Sequence, residues 1–172
     1  MQLRNTPRAY GLVARLLHWS SVALLLFLYL LVSGLDVPPK VHVREAVVAQ
    51  HVALGLAFGA LMLARLAWRL ANPNPALAYG FRPWRRALVV NLHRLLYAGL
   101  FVEVGLGLFA HAAAGGALPL LGQRVTSADA SLAAACAAWH DGLARGLLLL
   151  VTVHATVAVI NQAGTGSPPP AA

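Results

Sequence analysis

Histidine is the residue type in this sequence best suited to holding a metal, and the chain contains seven of them. Neutral imidazole is the commonest metal ligand in proteins. The seven are His18, His42, His51, His93, His111, His140 and His154. Most of them lie inside apolar stretches, where polar side chains are costly and usually functional, although a single one often serves only packing. The arrangement of the set is therefore more informative than any one member.

The rest of the chain has the composition of a membrane protein. Of its 172 residues, 59% are apolar and 10% are charged, whereas soluble domains have about 45–50% and about 25%. A disordered chain would be poor in apolar residues. Four apolar runs reach the length of about 20 residues that a bilayer core requires, and they are 12–35, 47–70, 88–114 and 139–160. We expect an all-α, antiparallel, transmembrane four-helix bundle.

Turn residues separate these runs, including Pro38-Pro39, Asn72-Pro73 and Gly115-Gly116. We expect one domain over residues 1–163 and a disordered Gly/Pro/Ser-rich tail over 164–172. The Ala-rich segment 127–138 is either an interfacial turn or an early start of the fourth helix, with Asp129 as a candidate N-cap.

The basic residues predict the orientation in the membrane. The formal net charge is +8, but the arginines lie at the edges of apolar runs, which disfavours nucleic acid as a partner. Nine basic residues lie near the start of the first run or around the second connection, and three lie in the other two connections. The nine are Arg4, Arg8, Arg15, Arg65, Arg69, Arg82, Arg85, Arg86 and Arg94, and the three are Lys40, Arg44 and Arg124. By the positive-inside rule, both termini are cytoplasmic.

This topology places six histidines in two layers, with His42 in the first outer connection. The cytoplasmic layer holds His18, His93 and His154, and the outer layer holds His51, His111 and His140. In the fourth run, two of them are separated by about 21 Å along the helix axis and only about 40° around it. Helix bundles build cofactor sites from such inward-facing side chains. The layers indicate two b-type haems, each held by two histidines.

Other metal chemistry fits less well. A catalytic zinc site needs three ligands at one depth with carboxylate or cysteine support, and acidic residues are scarce in this chain. The single Cys136 permits no internal disulfide, and no Cys-x-x-Cys-His sequence exists for covalent haem attachment.

The spacing leaves the pairing of the histidines open. His93 and His111 are five turns apart on one helix face and compete as ligands. Gly55 and Gly59 follow His51 at helical spacing and form a groove for a flat macrocycle, although close helix packing explains them equally well.

Two charged residues, Glu103 and Arg145, lie at similar depth within the third and fourth runs. Buried charges are tolerated mainly when they are paired. We expect an ion pair between them. Alternatively, Arg145 meets a haem propionate and Glu103 takes part in proton transfer.

Several motifs together resemble the bacterial di-haem cytochrome b561 proteins, over residues 10–160. The resemblance rests on Arg15-Leu16-Leu17-His18-Trp19, His51 with 52–55, the stretch 62–69 with Asn72-Pro73, His93-Arg94-Leu95-Leu96-Tyr97, and Trp139-His140-Asp141 with His154. It implies that His18 and His154 ligate a cytoplasm-side haem and that His51 and His140 ligate an outer one. His93 matches a family position that is not a ligand. The resemblance implies that His93 forms a hydrogen bond to a haem propionate or adds polarity at a quinone site, and packing of its side chain between helices is an equal alternative.

The resemblance also implies a function. It is electron transfer in the bacterial inner membrane, between an outer-side donor such as superoxide and the ubiquinone pool. The outer basic residues have two alternative roles, and they include Lys40, His42 and Arg44. They either attract superoxide or anchor the chain at the membrane interface. A cytochrome b subunit serving a dehydrogenase or a soluble c-type cytochrome is one alternative, and a haem-free transporter or assembly protein is another. Association with further copies of the chain is left open.

Overall fold

The protein is described by a computed structural model that covers residues 2–7, 9–33, 41–73, 75, 83–118, 122–124 and 128–164. Four helices account for most of these residues: α1 (Leu12–Ser33), α2 (Val41–Ala71), α3 (Pro83–Ala113) and α4 (Ala130–Gly164). All four are long and apolar enough to cross a membrane, and no strand occurs in these ranges. The prediction of an all-α transmembrane four-helix bundle is confirmed.

Three of the helices begin earlier than their apolar runs. α2 begins at Val41, so His42 lies in its first turn, and the prediction that it lies in the first outer connection is wrong. α3 begins at Pro83, because the fixed φ of proline suits the first helical position. These three helices therefore begin outside the apolar runs, α2 and α3 in charged sequence and α4 in Ala-rich sequence.

The start of α4 is set by Asp129, as the sequence predicts. Its Oδ1 accepts hydrogen bonds from the backbone N–H groups of Ser131 and Leu132, both at 3.0 Å, and from the Ser131 hydroxyl. The Leu132 N–H bond, with those from Ser131, lowers the pKa of the Asp129 carboxyl. Residues 130–138 are thus the first turns of α4. α4 runs to Gly164, and the remainder of the predicted tail lies outside the described residues.

The end of α3 is closed by a glycine. Gly115 has a φ of 79°, and its N–H bonds to the carbonyl of Ala112 while that of Gly116 bonds to the carbonyl of His111. This left-handed residue satisfies carbonyls at the helix end that have no partner within the helix.

Packing follows the order of the helices along the chain: α1 on α2, α2 on α3, and α3 on α4. The buried cluster takes residues from all four helices, namely Leu28, Phe58, Met62, Leu100 and Leu147. Leu147 lies halfway between the two histidines of α4. An apolar layer therefore fills the middle of the bundle and separates its two ends.

The N-terminal segment folds against the end of α2. The buried Asn5 donates a hydrogen bond from Nδ2 to the carbonyl of Pro73 at 3.0 Å, and its Oδ1 accepts one from the N–H of Gly11. Residues 2–7 and the end of α2 consequently lie at the same end of the bundle, here called the N-terminal end. The opposite end, with the start of α2 and the start of α4, is called the far end.

The outer surface of the bundle is apolar. Leu30, Leu63 and Leu149 lie within the spans and expose about two thirds of their surface. A soluble monomer rarely exposes so much apolar surface. These faces suit contact with lipid tails.

Candidate metal centres

At the far end, His51 of α2 and His140 of α4 face each other. Their ring centroids are 6.0 Å apart and the ring planes are at 82°. Nδ1 of His51 is buried without a hydrogen-bond partner among the described residues. The histidine therefore offers a ring nitrogen that no protein group satisfies.

At the N-terminal end, His18 of α1 and His154 of α4 form the corresponding pair. Their ring centroids are 6.4 Å apart at 66°. His93 of α3 also contacts His154, but with a shorter separation of 4.9 Å. The Nδ1–H of His93 donates to the carbonyl of Val89 at 2.7 Å, one turn earlier in its own helix.

The ring separations discriminate between these contacts. Imidazole nitrogens bind first-row metals at about 2.0–2.1 Å, so two rings on opposite sides of one metal have centroids about 6.3 Å apart. The pairs His51–His140 and His18–His154 match this separation. The His93–His154 contact is too short for it.

Both matching pairs lie in the cleft between α4 and the α1–α2 pair, one on each side of the apolar layer. α4 packs on α3, and among the described residues it makes no extensive contact with α1 or α2. Gly55 lies one turn after His51, and a Cβ added there would meet no atom within 4 Å. At Gly59, by contrast, an added Cβ would lie 3.1 Å from Val104. Of the two glycines in the predicted groove, Gly59 serves helix packing and Gly55 borders open space beside a candidate ligand.

A tetrahedral metal site does not fit this arrangement. In the part of the chain that the structure describes, no three His, Cys, Asp or Glu side chains lie close enough to hold one metal ion. Two facing imidazoles fit a metal whose remaining ligands come from a cofactor, as in haem.

The expected ion pair between Glu103 and Arg145 is wrong. Arg145 pairs with Asp141 one turn earlier at 2.7 Å, and both side chains are more than half exposed. Arg145 is five residues from His140, which places it about 140° around α4. Arg145 consequently lies away from the cleft. This position does not favour the predicted role of Arg145 in binding a cofactor, which stays a prediction.

Glu103 instead contacts His140. The Nδ1–H of His140 donates to the backbone carbonyl of Glu103 at 3.0 Å, and the Glu103 Oε1 lies at the same distance. Only 13% of the Glu103 side chain is exposed. A proton held on Nδ1 leaves Nε2 free to ligate a metal.

A second contact that the sequence analysis missed involves Arg65 of α2, which donates a hydrogen bond to His18 Nδ1 at 2.6 Å. A signal existed, because Arg65 follows His51 by the same 14 residues that separate His140 from His154. It therefore shares the helix face of His51 at the depth of the other pair.

His111 has a structural contact. Its Nε2–H donates to the carbonyl of Ala117 at 3.2 Å, and a Cβ at Gly116 would collide with its ring. His111 thereby joins the end of α3 to the segment that follows, and it contacts none of the other histidine rings in the described structure.

Comparison with known families identifies the family of this chain. The family model for prokaryotic cytochrome b561 matches residues 9–167. The chain belongs to this family. Like the family, it is a multi-pass bacterial membrane protein that binds haem b and transfers electrons. A search of curated proteins found no match to the chain.

Proposed function

We propose that this cytochrome b561 holds two haems b, one at each end of the bundle, and carries electrons between an outer-side donor and the ubiquinone pool. The observation that carries the proposal is the pair of ring separations, 6.0 Å for His51–His140 and 6.4 Å for His18–His154. Both fit axial ligation of one iron. When bound, each haem supplies an iron that takes up and releases one electron.

The side chains of the cleft would hold the iron, exclude water and orient a ligand ring. With two histidines holding each iron, no coordination position would remain for oxygen, so each centre would suit electron transfer. Leu28, Phe58, Met62, Leu100 and Leu147 exclude water between the two pairs. The Glu103 contact orients the His140 ring, which fixes the nitrogen that faces the cleft.

The proposed orientation places the N-terminal end in the cytoplasm. Seven described arginines belong to that end, whereas Arg44 and Arg124 lie at the far end, which follows the positive-inside rule. Of the far-end basic residues, Arg44 and Arg124 are exposed, as is His42, while Lys40 lies outside the described residues. Exposed cations at this end would attract superoxide, the donor that we propose.

Haem stoichiometry tests the proposal. Purified wild-type protein should contain two haems per chain, with a Soret band and a dithionite-reduced α band. His18→Ala and His51→Ala should each contain about one. His111→Ala is the matched control and should retain two, because that ring bonds to the Ala117 carbonyl.

Protein without a Soret band, or His18→Ala and His51→Ala variants that both retain two haems, would overturn the proposal. The donor is tested separately, by reduction of ubiquinone with superoxide as the only reductant. Failure of that reduction, together with copurification of a dehydrogenase or c-type cytochrome, would instead identify a subunit of a larger complex.

A further inference from the structure

The two histidine pairs lie in surroundings of opposite charge. The four described carboxylates are all near the far end of the bundle: Glu45, Glu103, Asp129 and Asp141. The N-terminal end is rich in arginine, and none of its described residues is an aspartate or glutamate. One residue of each sign contacts a candidate ligand directly, Glu103 at His140 and Arg65 at His18.

The contact at the far end gives His140 an acceptor for its ring proton. Glu103 contributes two oxygens to it, the backbone carbonyl and Oε1, each 3.0 Å from Nδ1. Its second carboxylate oxygen, Oε2, is buried and has no hydrogen-bond partner among the described residues. An acceptor on Nδ1–H makes an imidazole a more electron-rich ligand.

The contact at the N-terminal end places a permanent positive charge beside His18. Arg65 remains protonated under all conditions relevant to proteins. Its guanidinium carbon lies 5.7 Å from the centre of the Tyr97 ring, and that of Arg69 lies 5.9 Å from the same ring. In the described part of the chain no carboxylate pairs with either arginine. The two charges at this site are therefore uncompensated by any described acidic side chain.

The Arg65 bond also constrains the tautomer of His18. Because Nδ1 accepts a hydrogen bond from Arg65, the ring proton of neutral His18 is on Nε2. Ligation through Nε2 moves that proton to Nδ1. Because Nδ1 can then no longer accept a hydrogen bond, Arg65 has to release it. Its charge still remains near the ring, because the side chain is tethered to α2.

We propose that Glu103 lowers the reduction potential of the haem held by His51 and His140, and that Arg65 raises the potential of the haem held by His18 and His154. The inference rests on the proposed two-haem function. Uptake of an electron adds one negative charge to each centre, which Glu103 disfavours in its carboxylate form and the Arg65 guanidinium favours. The hydrogen bond that Glu103 accepts from the Nδ1–H of His140 also lowers the potential, whereas Arg65 acts through its charge alone. The two residues together make the haem at the N-terminal end the better electron acceptor.

A spectroelectrochemical titration of the haem-loaded protein tests this assignment. Wild type should titrate in two one-electron steps. Glu103→Gln should raise the lower potential, and Arg65→Gln should lower the higher one. We expect each variant to change the equilibrium of the electron between the haems about tenfold, which corresponds to about 59 mV for one electron. Arg65→Lys keeps the charge and should restore most of the wild-type separation.

Matched controls remove a charge of the same sign close by but outside the cleft. Asp141→Asn and Arg94→Gln change exposed side chains adjacent in sequence to His140 and His93, and they should shift the potentials much less. If Arg65→Gln binds fewer than two haems, Arg69→Gln replaces it, with a smaller downward shift expected.

Two outcomes would overturn the inference. One is that potentials stay unchanged in Glu103→Gln and in the arginine variants while two haems remain bound. The other is that Asp141→Asn and Arg94→Gln shift them equally. Loss of haem from wild type would instead contradict the two-haem function itself, so the two failures are distinguishable.

Discussion

At the scale of single residues, His154 is the most informative side chain, because its ring contacts two other imidazoles. The separation from His18 is 6.4 Å and that from His93 is 4.9 Å. Only the longer one leaves room for a metal between the rings. His93 is also anchored to the Val89 carbonyl, so it lies beside the candidate ligand and not opposite it.

This difference predicts opposite results for two alanine variants. If two haems bind as proposed, His154→Ala should contain about one haem per chain, because a proposed haem ligand is removed. His93→Ala should retain two, with a reduced α band at most slightly displaced. Haem per polypeptide after purification measures both. Equal haem loss in the two variants would show that His93 is itself a ligand.

The depth of these residues could be predicted from the sequence, but their contacts could not. Span lengths and the rise per residue sort the histidines into two layers. They also place Glu103 and Arg145 at one depth, yet Glu103 contacts His140 while Arg145 pairs with Asp141. The error lies in the rotation of the helices about their axes, which depends on packing between helices and not on spacing within one.

At the scale of elements, α3 is rotated so that two of its glycines face α4. A Cβ added at Gly99 would lie 2.7 Å from Leu147 Cδ2, and one at Gly107 would lie 2.9 Å from His140 Cε1. A Cβ at Gly105 would meet nothing within 4 Å. Small residues at these two positions allow α3 and α4 to approach closely, which brings Glu103 to His140.

Gly107→Ala should therefore disturb the far-end pair. The added methyl group needs space that the His140 ring occupies, and the Glu103 bond limits how far this ring can move. We expect haem per chain to fall from two towards one. Gly105→Ala is the control on the same helix and should keep both haems. It should also gain helix stability of about 1 kcal/mol at most. Two fully bound haems in Gly107→Ala would mean that this packing does not position the ligand.

The existence and order of the four helices are well predicted from apolar runs, as is the start of α1, but the starts of α2, α3 and α4 are not. α4 begins at Ala130 because Asp129 caps it, although its most apolar stretch starts later. The Ala-rich segment after Asp129 is compatible with a turn or a helix, and only the cap bonds decide between them. Hydropathy detects the part of a helix inside the hydrocarbon, whereas capping sets where the helix starts.

At the scale of the whole molecule, opposite charges are separated by an apolar layer. The described carboxylates are near the far end, most described arginines belong to the N-terminal end, and Leu147 marks the layer between them. This asymmetry accounts for the proposed orientation through the positive-inside rule. It also favours an electron at the N-terminal end over the far end. One charge distribution thus serves both membrane insertion and the direction of electron transfer that we infer.

Site-specific labelling tests the orientation. The chain has one cysteine, so Cys136→Ala provides a background without thiols. In that background, Gln123→Cys places a thiol at the exposed far end and Arg86→Cys places one at the exposed start of α3. A membrane-impermeant maleimide added to intact spheroplasts should label only the variant at position 123. Both variants should react in detergent, which controls for accessibility. Labelling of position 86 alone would reverse the orientation and make the far-end haem the cytoplasmic one.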